Sequence, residues 1–578
     1  MLNISRKPCQ INPINPINPS TNQLVSRYLA LFTGLVACMW LTGCAALPAN
    51  VQRPVSTALE NNLTTQLGKD VAARAAAANT RNDSGFALVG SAELAFTSRM
   101  TLIKAAEKTL DLQYYAIHAD DTTERMFAAL REAAARGVRV RILLDDFNTA
   151  GKDAQVLRLA FEKNIEMRLF NPLPSNRSSA MWRIVSSLSD AARLQRRMHN
   201  KIFVADNAVA ITGGRNLGDN YFGQSDGVNF VDIDLLAAGR IARDLSRSFD
   251  QYWNNPLAYP VQSLMTAKDL ERLKPIPAMQ SANDGESQLA SAPPATPRDT
   301  PNKTAVTRAA VNPSGLTSTM AALPDTTDLR LLSWTWAAST MLVDRPSKIA
   351  EDADTTEASN DTAVDGLLSL MSSAKTDLLV VSPYFVPGPE MMRQFEAIRK
   401  RGVRVRVLTN SLASNDAVAA HAGYARYREG LIAMGVEMYE MRAEQRGTLT
   451  SFGSGSGSGV GAGGGSSGAS RASLHAKAVV VDNLLLVVGS MNLDLRSKLQ
   501  NSEVAIVIRN RKLAAEATAL IEPGMSQGAY RVQLKDGQLI WRAPAGSGLA
   551  DATSEPDASI GLKLMVRMIA PFAPDEML

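Results

Sequence analysis

The chain has 578 residues, 45% of them hydrophobic and 20% charged, a globular composition long enough for more than one core that excludes disordered, collagen-like and coiled-coil proteins. Lys and Arg number 61 against 56 Asp and Glu, a net charge of +5 that is too balanced for binding nucleic acid by bulk electrostatics. Three cysteines exclude a disulfide framework and a Cys-rich zinc site, and four histidines, His118, His199, His421 and His475, exclude a His-rich metal centre.

Residues 1–27 carry Arg6, Lys7 and Arg27 and no acid, and an apolar run over 28–41 leads into Leu41-Thr42-Gly43-Cys44. A positive flank, a short apolar core and small residues read as a secretory signal over 1–43, too short for a membrane span of about 20 residues. The tetrapeptide resembles the bacterial lipobox, which implies cleavage before Cys44, lipidation of its sulfur and attachment to a membrane; an uncleaved anchor would give the same attachment. Ala45 and Ala46 follow, with no Asp beside the cysteine. By resemblance to lipoprotein sorting this favours the periplasmic side of the outer membrane over the inner membrane. Residues 44–84 are read as a tether.

Beyond the tether the chain is written twice. Apolar residues at helical spacing over 92–108 precede a strand-like run at 110–116; a helix over 124–136 then leads to a β-branched run at 138–144. The second half repeats the order as helix 389–401, strand 403–408, helix 415–434 and strand 436–440. Arg136-Gly-Val-Arg-Val-Arg-Ile-Leu-Leu144 recurs as Arg401-Gly-Val-Arg-Val-Arg-Val-Leu-Thr409. Met198-His199-Asn200-Lys201 and Asp206 recur as Leu474-His475-Ala476-Lys477 and Asp482, and Gly213-Gly214-Arg215-Asn216 recurs as Gly489-Ser490-Met491-Asn492. Alternating β and α segments predict an α/β fold of two homologous halves, 85–262 and 326–545, each a mixed sheet flanked by helices, packed with the active site between them. Between them, 263–325 reads as a low-complexity linker, 344–363 as an acidic surface loop, 450–472 as a Gly/Ser insert and 546–578 as a tail.

In each half a His and a Lys two residues apart open a strand, so both side chains face one way. A phosphodiester is anionic and repels nucleophiles, so a site acting on it needs fixed cations and hydrogen-bond donors. Lys201 and Lys477 supply charge, and Asn216 and Asn492 neutral donors, with the small residues Gly214 and Ser490 where a phosphate oxygen approaches. One neutral imidazole attacks phosphorus while the opposite imidazolium protonates the departing alcohol. Asp232, downstream of His199, and Glu503, downstream of His475, both begin apolar strands and align when the repeats are overlaid; they are assigned to orienting the histidines. Asp206 and Asp482 complete the motif and are read as holding the following hairpin. His118 and His421, Tyr114, Tyr115 and Tyr384, and the Arg pairs 139/141 and 404/406 are read mainly as structural. No metal or other cofactor is implied.

The doubled His-x-Lys-x4-Asp motif with its downstream Asn resembles the phospholipase D superfamily, and within it the bacterial cardiolipin synthase branch and its C-type group. The resemblance covers roughly 85–260 and 325–525. It implies a phosphatidyltransferase making cardiolipin from phosphatidylglycerol, with phosphatidylethanolamine as a second lipid, and leans towards His199 as nucleophile, which a symmetric pair does not itself reveal. Hydrolysis, by a phospholipase D or a nuclease, would use the same residues; balanced charge and the lipid anchor count against nucleic acid as a partner.

Overall fold

The computed structural model describes residues 47–80, 83–173, 191–265, 269, 324, 326–350, 362–445, 470–572 and 574–575. The signal segment with Cys44, most of the linker and Gly/Ser residues 450–469 lie outside the described residues. From Pro48 onward the chain forms one compact unit. Among the described residues no helix is long and apolar enough to cross a membrane.

The first half contains β1 (Ser84–Val89), β2 (Thr109–Tyr114), β3 (Arg139–Asp145), β4 (Ile165–Phe170), β5 (Ile202–Ala205), β6 (Val209–Gly213), β7 (Val228–Val231), β8 (Asp234–Gly239) and β9 (Ala258–Pro260). The second contains β10 (Thr335–Val343), β11 (Asp377–Val381), β12 (Arg404–Asn410), β13 (Glu437–Met441), β14 (Glu444–Gln445), β15 (Ser470–Leu474), β16 (Ala478–Val481), β17 (Leu485–Gly489), β18 (Val504–Arg509), β19 (Ala529–Lys535) and β20 (Gln538–Arg542). In space the first half runs β9-β4-β3-β2-β5-β6-β8-β1, with β2, β3 and β4 parallel and the rest antiparallel. The second half repeats that order as β19-β13-β12-β11-β16-β17-β18-β10, with β20 added at the far edge. Strand β10 joins the two sheets: its first residues pair with β1 and the remainder with β18.

Each half has its own outer core, under helices Ala92–Ala105 and Asp121–Ala135 on one side and Ala363–Ser372, Gly388–Lys400 and Val418–Ala433 on the other. A further core is shared: Ile202, Val204 and Leu235 meet Val480, Leu486 and Ile506, closed by residues of helices Arg240–Trp253 and Arg511–Ser526. Burial of both inner faces in one apolar core is what fixes the halves against each other.

The hairpins carrying the His-x-Lys segments turn at Asp206-Asn207 and Asp482-Asn483, four residues with φ between 47° and 52°. Asn and Asp tolerate this left-handed region, and two such residues in a row make the tight turn that matches strand twist. The aspartates do more than turn. Asp206 accepts from the backbone N–H groups of Glu107, Lys108 and Thr109 at 2.8–2.9 Å, and Asp482 does the same for Lys375, Thr376 and Asp377 at 2.7–3.1 Å. They pin the chain entering β2 and β11 at the hairpin ends away from the histidines, which is why the motif carries an Asp there and why neither Asp belongs with the catalytic groups.

Residues 48–65 are a docked strap. Arg53 donates to the Ala258 carbonyl at 3.2 Å, Arg168 to the Pro54 carbonyl at 2.6 Å, and Asn62 to the Asn207 carbonyl at 2.9 Å. Arg141, fully buried, is the clamp: it bonds both Asp111 oxygens at 2.6 and 2.9 Å, Asp250 at 2.8 Å and the Ser56 carbonyl at 2.9 Å. Its repeat partner Arg406 pairs with Asp377 and Glu522, whose side chains are 28% and 46% exposed. Arg141→Ala therefore leaves a buried carboxylate uncompensated and is expected to cost about 3–5 kcal/mol. Arg406→Ala is expected to cost well under half of that; urea unfolding of the two variants checks the order.

The acidic stretch read as a surface loop differs at its start. Asp344 is buried, accepting from the N–H groups of Glu503 and Ala363, both at 2.9 Å, and from Lys348 Nζ at 2.8 Å. Its charge is needed inside to order the chain at Glu503; residues 351–361 lie outside the described residues.

Candidate active site

The two histidines are placed by chain segments that cross between halves. The residues before His199 run parallel to those before Glu503: Ser502 N–H donates to the Arg197 carbonyl at 3.0 Å and His199 N–H to the Ser502 carbonyl at 2.9 Å. The mirror arrangement pairs β15 with β7 in parallel, Leu474 opposite Val231, and His475 N–H donates to the Val231 carbonyl at 2.9 Å. Each histidine therefore lies against the acid of the opposite half. His199 Nδ1 is 3.0 Å from both Glu503 oxygens, and His475 Nδ1 is 2.8 Å from Asp232 Oδ2. Sequence order sets each acid beside the histidine of its own repeat; the structure exchanges them, because inter-half strand pairing, not chain proximity, decides the neighbour.

With Nδ1 hydrogen-bonded to a carboxylate, each imidazole keeps its proton there and leaves Nε2 as a lone-pair donor. Both rings are neutral near pH 7. Burial lowers His199 to about 4 against the opposing pull of Glu503, and burial with Lys477 and Lys201 nearby holds His475 well below its usual range. Burial also brings Lys201 down to about 7 and Lys477 to about 8. Lys201 Nζ donates to the His199 carbonyl at 2.8 Å and Lys477 Nζ to the His475 carbonyl at 2.5 Å, so each lysine is fixed beside its histidine. Burial outweighs the pull of Glu503 and Asp232 on both lysines, so an anion brought beside them would favour their charged forms. For Glu503, burial pushes the carboxyl up, but His199, Lys201 and Ser490 outweigh it and hold the group below the usual range.

The small residues have a different use from the one expected. A Cβ on Gly214 would lie 2.5 Å from both Asp232 oxygens and 2.7 Å from the His475 carbonyl oxygen. Its counterpart Ser490 donates its hydroxyl to Glu503 Oε2 at 2.5 Å. Gly214 and Ser490 thus make room for, and hold, the carboxylates on the Nδ1 side of the rings, rather than contacting phosphate on the Nε2 side. Asn216 is also engaged: its Oδ1 accepts from Ala116 N–H at 3.2 Å and its Nδ2 donates to the Tyr221 hydroxyl at 2.9 Å. Asn492 is the asymmetric one, buried with Oδ1 unpartnered among the described residues.

Sequence reasoning passed over several supports. Asp145 accepts from Met198 N–H at 2.8 Å, and the equivalent Asn410 accepts from Leu474 N–H at 2.8 Å, fixing the chain one residue ahead of each histidine. Both lie at strand ends in repeated segments, a signal visible once β3 and β12 are overlaid. Ser497 donates to Glu503 Oε1 at 3.0 Å. Tyr115 sets its ring edge-on to His199 with centroids 5.1 Å apart, while Tyr221 and Phe230 enclose His475 at 5.3 and 5.0 Å. Tyr114 instead packs in the core, bonded to Arg99. His118 Nδ1 lies 2.9 Å from Asp153 Oδ2, and the fully buried His421 has Nε2 3.3 Å from Glu555 Oε1, both away from the two central histidines.

A family model described as "Cardiolipin synthase, PLD-like domain" matches residues 100–253 and 367–523, one match in each half. Cardiolipin synthase C of Escherichia coli K12 is 34% identical over 477 residues, covering 82% of this chain and 92% of that protein. An uncharacterized protein of Helicobacter pylori J99 is 30% identical, covering 82% and 85%. Among solved structures, phosphatidylserine synthase of Haemophilus influenzae Rd KW20 superposes over 88% of this chain with a TM-score of 0.51 at 13% identity, a likeness of fold. With the doubled site between two matching halves, the chain belongs to the phospholipase D superfamily, in the family of cardiolipin-synthase PLD-like domains.

Proposed function

We propose that the protein is a membrane-anchored phosphatidyltransferase that makes cardiolipin from phosphatidylglycerol, with phosphatidylethanolamine as a second lipid, through a phosphohistidine. The observation that carries this reading is the pair of histidines with carboxylate-bound Nδ1 atoms, flanked by two buried lysines, in a chain 34% identical to cardiolipin synthase C over most of both proteins.

His199 is assigned as nucleophile: it is neutral at pH 7, and Glu503 at its Nδ1 leaves Nε2 as a lone-pair donor aimed away from the carboxylate. Nε2 attacks phosphorus as the bond to the headgroup oxygen breaks, and His475, protonated once the phosphate anion is bound, gives the departing alcohol its proton. The hydroxyl of a second lipid then loses its proton to His475 and attacks phosphorus, releasing His199. Lys201 and Lys477 balance the charge on the phosphoryl oxygens, with the amide of Asn492, whose Oδ1 is unpartnered among the described residues, assigned as a neutral donor. Cys44 is assigned as the lipid anchor, on the periplasmic side of the outer membrane.

Purified protein incubated with phosphatidylglycerol vesicles, with and without phosphatidylethanolamine, and read by lipid mass spectrometry, tests the reading. Cardiolipin is expected; phosphatidic acid in its place would make the enzyme a hydrolase. The two lysines also set a pH profile. A lysine whose folded pKa is lowered loses its charge as pH rises, so kcat/KM is expected to fall above about pH 7–8, with a second fall near 4 as His199 protonates. In Lys201→Arg the guanidinium stays charged, and the first break is expected to move up to the one at about 8 set by Lys477.

A further inference from the structure

Helix Ile560–Ile569 presents an apolar stripe that nothing among the described residues covers. Its N-terminus is capped by the Ser559 hydroxyl, which accepts from Leu562 N–H at 3.2 Å, so the helix is closed rather than fraying. Ile560, Leu564 and Met568, spaced four apart on one face, are 86%, 56% and 59% exposed, and Met565 beside them is 38% exposed. Lys563 and Arg567 flank the stripe, and the helix contains no acid.

The helix is linked to the site through packed residues. It packs on helix Val418–Ala433, where Arg426 donates to the Ala570 carbonyl at 3.2 Å, and Ile569 packs against Val386. Val386 N–H in turn donates to the Leu493 carbonyl at 2.9 Å, one residue beyond Asn492. The helix is thus joined through Ile569 and Val386 to the segment that holds Asn492.

We propose that helix Ile560–Ile569 is an interfacial element that lies in the surface of an anionic phospholipid bilayer and sets the mouth of the site against it. Basic residues with no acid on an amphipathic helix complement anionic headgroups, and large apolar side chains four apart reach below them. A protein partner fits less well. A ten-residue helix is about 15 Å long, and its exposed apolar side chains offer on the order of 400 Å², short of the roughly 800 Å² per partner of a stable interface. The inference deepens the lipid-substrate reading and depends on it only for the identity of the lipid.

The test uses the full chain in vesicles of phosphatidylglycerol and phosphatidylcholine loaded with an apolar carbene-generating photolabel, the labelled residues being mapped by mass spectrometry. Label on 560–568 is expected. Label on the lipid acyl chains, the control for carbene yield, with none on 560–568 would overturn the proposal. The second arm is Leu564→Ser/Met568→Ser, both on the exposed face. It is expected to raise KM for vesicle phosphatidylglycerol about tenfold while leaving turnover of monomeric short-chain phosphatidylglycerol unchanged. An unchanged vesicle KM, or a concentration-dependent dimer that this variant abolishes, would also overturn it. If the wild type turns over neither lipid, the enzymatic reading fails while the photolabel still decides this one.

Discussion

Replacing either His199 or His475 by alanine is expected to lower phosphatidyl transfer by about 10⁴-fold or more, and replacing both by no more than replacing one. The reason is geometric. One imidazole forms the bond to phosphorus and the other handles the proton of the alcohol, so each is useless without its partner. Both rings are buried, 8% and 5% exposed, and held by main-chain bonds from the opposite half, so removing a side chain leaves the segments in place. Thermal unfolding within a few degrees of wild type, alongside the lost activity on phosphatidylglycerol vesicles, separates a chemical loss from a structural one. Additive losses from the single variants would mean that the histidines act independently.

The second large effect lies in the exchanged carboxylates. Glu503→Gln is expected to cost about 10²–10⁴-fold in kcat, because an amide no longer holds the His199 proton at Nδ1 and no longer stabilises the imidazolium. Its signature is positional. In a chain with ¹⁵N-labelled histidine, Glu503→Gln is expected to shift the ring nitrogens of His199 and leave those of His475 in place, although Glu503 shares a half with His475. Asp232→Asn is expected to do the converse. Shifts within the same half would contradict the 3.0 Å and 2.8 Å pairings on which the site rests.

Much of this architecture is legible in the sequence because the chain repeats itself. Two copies of the Arg-Gly-Val-Arg-Val-Arg run fix equivalent strands, β3 and β12, and the His-x-Lys segments fix β5 and β16. The Asp-Asn steps predict tight turns, and all four residues have positive φ. The contacts between the copies are not legible. That Ser502 pairs with Met198, and Leu474 with Val231, follows from how two sheets share a core, which no periodicity within either half encodes. Gly214 and Ser490 illustrate the cost. Their smallness is visible, but it serves a carboxylate behind the ring and not a phosphate in front of it. Asp344 shows the same thing from the other side: its sequence neighbourhood is that of a solvated loop, and only the fold shows it bonded to the Glu503 N–H.

The most direct test of the central claim is to trap the covalent intermediate. Protein mixed with phosphatidylglycerol radiolabelled in its phosphate is quenched within the first turnover, digested, and its histidine-bearing peptides are analysed for a phosphatidyl adduct. The account predicts the adduct on the peptide carrying His199, and none there after His199→Ala. Consumption of phosphatidylglycerol with no adduct on either His199 or His475 would contradict it.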